Sequence, residues 1–331
     1  MNKYLLTSLL LLMVIRSNAQ TTTWAGNVAC LLYTHCTACH NSNGIGPFSL
    51  VSYNDAFTHK SIIQSAINNH IMPPYPADVA YQHYSREKYL TTQEISIIND
   101  WINAGGPEGD SSAAPPAPIY SSGPVIINPG FTGKIPIYSI PNSSTDLYRC
   151  FIVSNPFSQT QYVTGIEVLP GNNSAVHHVT VYEDTSYIPV QLDSLDPEPG
   201  YTEFVGTGSP SAQMLGIWTP GSEPYFAPAG MGLVIPPGAR IILQIHYPAG
   251  SSGLIDSTSV NLQISTDTGL RIITINTLLI NTTTLLNGPL QIPANTIDTF
   301  YEEYHLPTAI TVLAVCPHSH LICTEMKSFA V

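Results

Sequence analysis

Beyond residue 124 the chain is a succession of short β-branched runs parted by turn residues, and this pattern restricts it to a strand-built fold. The runs are Tyr162–Leu169, Ala175–Tyr182, Arg240–Tyr247, Val260–Ser265, Leu270–Leu279 and Thr308–Val315. Pro170-Gly171-Asn172-Asn173 is a strong turn between the first two. Many short strands with Gly/Pro punctuation bury their apolar sides by stacking sheets, so β-sandwich or jelly-roll architecture is expected. The chain has 28 Pro and 23 Gly, with 10% charged and 44% apolar residues, which suits a turn-rich globular protein.

The preceding residues follow a different period. Residues 21–109 read as an all-α domain: Gly26–His35 places Val28, Ala29, Leu31 and Leu32 on one face, and Asn54–Asn69 repeats the pattern at Ala56, Phe57, Ile63, Ala66 and Ile67. Thr91-Thr92-Gln93-Glu94 is a capping box that opens a helix with Ile95, Ile98, Trp101 and Ile102 inward, and Gly105-Gly106-Pro107 stops it. Residues 110–124, rich in Pro, Ser and Ala, read as a semi-stiff linker.

Residues 1–20 have the form of a signal peptide: Lys3, an apolar core from Leu5 to Ile15, and Ser17-Asn18-Ala19 as the cleavage site. An exported protein is therefore expected, periplasmic, cell-surface or secreted, with no membrane span after cleavage. Export favours oxidised cysteines. The net charge of −12 argues against nucleic acid or an anionic membrane as partner.

Cys36-Thr37-Ala38-Cys39-His40 has the spacing of covalent haem attachment. Two thiols form thioethers to the porphyrin edge, and the next residue turns its imidazole onto the iron. Met72, in the Pro-stiffened loop Ile71-Met72-Pro73-Pro74, is the candidate for the opposite axial position, with His59, His70 and His83 as replacements. The competing readings are a disulfide, a redox Cys-x-x-Cys or half a zinc site. Zinc needs two more ligands at a plausible spacing, and a thioredoxin-type motif belongs after a strand. Residues about 25–107 resemble a small c-type cytochrome domain.

His177-His178, His246 at the end of a strand run, and His318-Ser319-His320 account for five of the histidines after the linker. A single histidine is more often a hydrogen-bonded structural residue than a ligand. Neighbouring residues on a regular strand point to opposite faces, so His177 and His178 can share one ion only if the strand is distorted. A His-x-His pair on a strand offers both imidazoles to one face. Imidazole suits copper, zinc or iron, and with no carboxylate or thiolate regularly beside these histidines copper or zinc is favoured.

Val176-His177-His178, Leu243-Gln244-Ile245-His246-Tyr247 and His318-Ser319-His320, in that order, resemble the copper type II, ascorbate-dependent monooxygenases, which include peptidylglycine α-hydroxylating monooxygenase and dopamine β-monooxygenase. The resemblance runs from about Val125 onward. It implies an N-terminal sandwich over 125–272, whose copper is held by His177, His178 and His246 and relays electrons. It implies a C-terminal sandwich beginning at 273, whose catalytic copper is held by His318 and His320, binds dioxygen and hydroxylates a C–H bond of a small organic substrate. In the peptide-amidating members an arginine two residues before His-x-His grips the substrate carboxylate, and Cys316 stands there instead. The family's third ligand on that copper is a methionine well downstream. Met326 is too close to match it, so the ligand is expected beyond Val331 and the second sandwich is expected to be incomplete.

The function expected is an exported oxidoreductase in which haem c passes electrons to a two-copper monooxygenase. Its partners are dioxygen, a small-molecule substrate and an electron donor, either ascorbate or a redox protein. The alternative is a non-catalytic electron-transfer or copper-binding haem protein. Cys30, Cys150, Cys316 and Cys323 allow three disulfide pairings, and the sequence does not choose among them.

Overall fold

The computed structural model describes residues 21–75, 77–85, 87–120, 123–277, 285–319 and 322–330. The signal-peptide reading, the ligand His320 and the end of the expected Leu270–Leu279 strand lie outside these residues. The described residues up to Thr274 form one compact unit, and those from Ile275 onward form another. Among them no helix is long and apolar enough to cross a membrane.

The first unit opens with one wide turn, Trp24–Val28, followed by α1 (Ala29–His35), α2 (Tyr53–Asn68) and α3 (Thr92–Asn103). Both longer helices start on a capping box. Ser52 exchanges bonds with Asp55, and Thr91 with Glu94, which satisfies amides that a helix start leaves orphaned. Their apolar stripes meet over Val28, Leu32, Ala56, Ile63, Ile98 and Trp101. Trp101 is fully buried, and its indole N–H donates to the Pro107 carbonyl at 3.0 Å.

The expected linker is not a free spacer. Asp110 caps a short 3-10 turn over Ser111–Ala113, and Ala114 packs against the helical core. The carbonyl of Tyr120 accepts from the Asn43 amide at 3.1 Å, and its hydroxyl bonds Thr37. Residues read as a tether are thus fastened to the turn that carries Cys36 and Cys39.

The remainder of this unit is two sheets over one core. One has the order β1 (Phe131–Lys134), β12 (Ser259–Ser265), β4 (Gln161–Leu169), β9 (Met231–Ile235), β13 (Arg271–Ile272), with β8 (Tyr225–Phe226) also on β4. The other runs β6 (Tyr201–Thr202), β3 (Leu147–Ile152), β10 (Arg240–Tyr247), β5 (His178–Asp184), β7 (Gln213–Trp218). A small pair, β2 (Tyr138–Ser139) and β11 (Ile255–Asp256), lies apart. The sandwich expected from the sequence is present here.

Alternation along β10 sets the faces. Ile241, Leu243, Ile245 and Tyr247 enter the core with Val179 and Val181 of β5 and Val163, Leu233, Ile235, Val260 and Leu262 of the opposite sheet. Each such side chain contributes about 1.5–3 kcal/mol by leaving water. Ile242, Gln244 and His246 therefore face the other way. That outer face is partly covered by the excursion between β5 and β7, which contains α4 (Ile188–Leu195). Arg149 clamps the excursion with two bonds to Asp196, at 2.7 and 2.9 Å, and one to the Gly200 carbonyl at 2.8 Å.

The second unit departs from expectation. In the described part of the run Leu270–Leu279, residues 270–277, only Arg271–Ile272 is a strand, and Thr308–Val315 forms none. Among the described residues after Thr274 the only β contact is an isolated bridge, Leu285 with Glu302. The physical reason is visible in Ile310, Val312, Leu313 and Val315, all of which are exposed. A strand needs a neighbouring strand and a second layer for its apolar face, and these four side chains are not covered by one.

Candidate metal centre

β10 and β5 run antiparallel with His246 directly opposite His178, and β3 places Tyr148 opposite His246 on its other side. These three side chains share the outer face by register alone. His177 joins them because it precedes the strand: β5 begins at His178, and His177 occupies a bend. Its backbone N–H donates to the His246 carbonyl at 2.9 Å, so the ladder continues while the side chain escapes strict alternation. The distortion expected from adjacent histidines is this bend.

The three imidazoles converge. His178 Nδ1 lies 3.2 Å from His177 Nδ1 and 3.3 Å from His246 Nδ1. Ligands about 2.0–2.1 Å from one tetrahedral ion stand roughly 3.3 Å from each other, so both separations match a single shared ion. All three donor atoms lie within 4.8 Å of one another, and this is the only such group among the described residues. His246 is buried, His178 half-buried and His177 exposed, so the centre opens to solvent on the His177 side. Three neutral imidazoles suit copper, zinc, nickel or iron, and they do not suit the oxygen-seeking calcium or magnesium.

Two neighbours were not readable from sequence. Tyr148 stacks on His246, with ring centroids 4.3 Å apart and planes at 9°. Asp146, just before β3, brings Oδ2 to 3.1 Å from His246 Nε2 by an oblique approach, and its other oxygen accepts from the Ala249 amide at 2.9 Å. That amide and the His246 imidazole hold the Asp146 carboxyl below its ordinary range. No spacing signals these residues, because about a hundred positions separate them from His246 and only strand register joins them.

His318 and the three-histidine centre belong to different units. His318 is exposed in a segment without strands, so the same-face argument for the His318/His320 pair, which assumed a strand, does not apply.

The Cys36–His40 turn follows the end of α1. The amide of Asn41 donates to the Thr37 and Ala38 carbonyls and fastens the turn. His40 Nδ1 lies 3.0 Å from the Phe48 carbonyl, which can only accept. Nδ1 therefore carries the proton and Nε2 keeps its lone pair, the tautomer an axial ligand requires. A Cβ at Gly46 would stand 2.6 Å from His40 Nδ1, so the chain needs glycine to pass the ring. Burial, with the Cys39 thiol beside it, pushes the Cys36 thiol up to about 12. Redox Cys-x-x-Cys pairs need a lowered value, so the raised Cys36 thiol does not favour thiol exchange. Met72 is 40% exposed. It lines a cavity of about 260 Å³ with His70, Tyr75, Tyr89, Leu90 and Ile95, and His40 is not part of that wall. His59 instead stacks on Phe48 at 4.0 Å, and His83 pairs with Glu87. All six cysteines are unpaired, Cys150 buried and Cys30, Cys316 and Cys323 exposed.

The helical segment and the sandwich touch beside this turn. Gly221, in the loop between β7 and β8, lies so close that a Cβ there would stand 2.8 Å from Cys39 Sγ. Lys88 donates to the Gly221 carbonyl at 3.1 Å. The same loop follows Trp218, which pairs with Val179, the residue after His178.

A scan against protein-family models found no match to this chain, and a search of curated proteins found none either.

Proposed function

We propose that this protein is an exported copper oxidoreductase with a covalently attached haem c. In this reading His177, His178 and His246 bind a copper that exchanges electrons, and the Cys36–His40 turn binds the haem. The observation that carries it is the convergence of three Nδ1 atoms at separations of 3.2 and 3.3 Å around one point. Bound copper and haem would supply reversible one-electron chemistry, and the residues supply everything else. Register fixes His178 and His246, the bend fixes His177, and the solvent side leaves room for a further ligand.

Contact between Gly221 and Cys39 supports electron supply from the helical segment. The peptide chain from Gly221 to Trp218, and one step of the β7–β5 ladder, lead to the residue beside His178. A donor held in the same compact unit acts at a high effective concentration. The use of those electrons in hydroxylating a C–H bond of a small organic substrate with dioxygen is the activity implied by the family resemblance, with His318 and His320 as ligands of the second copper.

A specific observation also favours the non-catalytic alternative. The three-histidine centre belongs to the compact unit that ends at Thr274, with the Cys36–His40 turn, and His318 belongs to the other. Those residues alone make a complete electron-transfer module.

Metal and haem stoichiometry on the full chain tests the proposal. With the second sandwich complete, wild type should carry one haem and two coppers, and His246→Ala one haem and one copper. One copper in wild type and none in His246→Ala selects the non-catalytic module. Haem without copper in wild type refutes the copper centre. Cys36→Ala should cut the covalent attachment to one thioether, seen as a shifted pyridine haemochrome spectrum, and unchanged spectra refute the haem assignment.

A further inference from the structure

From the surroundings of His246 we infer that Asp146 is a positioning residue of the metal centre and favours the oxidised over the reduced ion. The inference rests on the proposed copper site and goes beyond its ligand set.

An imidazole has two nitrogens on opposite edges, and its ligand strength at one depends on the partner of the other. In His246, Nδ1 is the edge that meets His178 and Nε2 the edge that meets Asp146. Tyr148 lies flat on the ring, so rotation out of this plane costs stacking. The carboxylate approaches Nε2 obliquely, without hydrogen-bond geometry, and its charge at 3.1 Å favours the tautomer with the proton on Nε2, which leaves Nδ1 the lone pair that a metal needs. The Ala249 amide holds the second carboxylate oxygen, which keeps Asp146 in place before the strand.

The negative charge also makes the imidazole a stronger donor and lies close to the ion. It stabilises the doubly charged ion more than the singly charged one. Asp146 is about half exposed, so solvent and salt reduce the effect without abolishing it.

The test compares Asp146→Asn with wild type and His246→Ala in the full chain, loaded with copper alone. Asparagine keeps the shape and can still accept from Ala249, but it lacks the charge. Competition titrations should show Cu(II) affinity about 10–100-fold weaker. Cu(I) affinity should change much less, and each tenfold of that difference raises the reduction potential by about 59 mV. Equal weakening of both states would reduce Asp146 to a structural support and overturn the inference, as would unchanged affinity and potential. If wild type and His246→Ala bind copper alike, the copper site itself fails, which is a separate and recognisable outcome.

Discussion

Two groups of histidines in this chain look equally promising as letters and differ completely as structure. His178 and His246 lie on paired strands whose opposite face is the core, His177 on the bend just before them, and their donor atoms converge. His318 sits in a segment with no strand, among exposed Ile310, Val312, Leu313 and Val315. Ligand convergence is thus a property of paired backbone and not of histidine spacing. A buried face holds the register, and the register holds the ligands.

The sharpest way to break this contrast is to remove one ligand from each group. His246→Ala should weaken copper at the sandwich centre by more than the about 10–100-fold of an outer residue. His318→Ala should leave that centre's affinity unchanged. Titration of the tightest copper-binding event checks both, and a shared loss would show that the two groups form one site.

Core truncation probes the same contrast through stability. Leu243→Ala, fully buried between the sheets, should destabilise the first unit by about 2–5 kcal/mol. Val312→Ala, 62% exposed, should change stability by less than about 0.5 kcal/mol. Chemical denaturation followed by tryptophan fluorescence distinguishes them. Comparable losses would mean that the strandless segment packs in a way its exposure does not show.

A smaller effect comes from β5 itself, five residues past His178. Burial, reinforced by Asp184, pushes the Glu183 carboxyl up to about 7. The folded chain therefore holds a proton more tightly than the unfolded chain, so stability should fall as pH rises from about 4.5 to 7 and level off above. Glu183→Gln should remove that slope and gain up to about 2–3 kcal/mol at pH 8, with no gain at pH 4. Denaturation midpoints measured across pH check the sign, and a parallel slope in both proteins would clear Glu183 of the role. The smallest change is Thr91→Ala, which removes one half of a capping box and should cost about 1 kcal/mol in the helical segment alone. Calorimetry can detect it while copper affinity stays unchanged.

Local signals were read well wherever the physics is local. The capping box at Thr91 and Glu94, the stop at Gly105-Gly106, and the run Arg240–Tyr247 all appear where periodicity and turn chemistry put them. The expected Ala175–Tyr182 strand starts three residues late, because Asn172 begins a turn that accepts from the Ala175 and Val176 amides. Thr308–Val315 has the composition of a strand and forms none, since composition supplies propensity but no partner. The linker's Pro-rich residues suggested a tether, and only Tyr120, reaching back to Thr37 and Asn43, makes it a docked segment.

By itself the sequence determined the strand-rich class and the demand for a distortion at His177-His178. Those depend on residues close together in the chain, where period, spacing and backbone chirality act directly. Tertiary structure decided that His178 faces His246, that Tyr148 and Asp146 grip the far side of His246, and that Gly221 rests against Cys39. Each of these joins residues far apart in the chain: strand register, held by burial of the other face, brings the first two sets together, and packing of the helical segment against the loop after β7 brings the third.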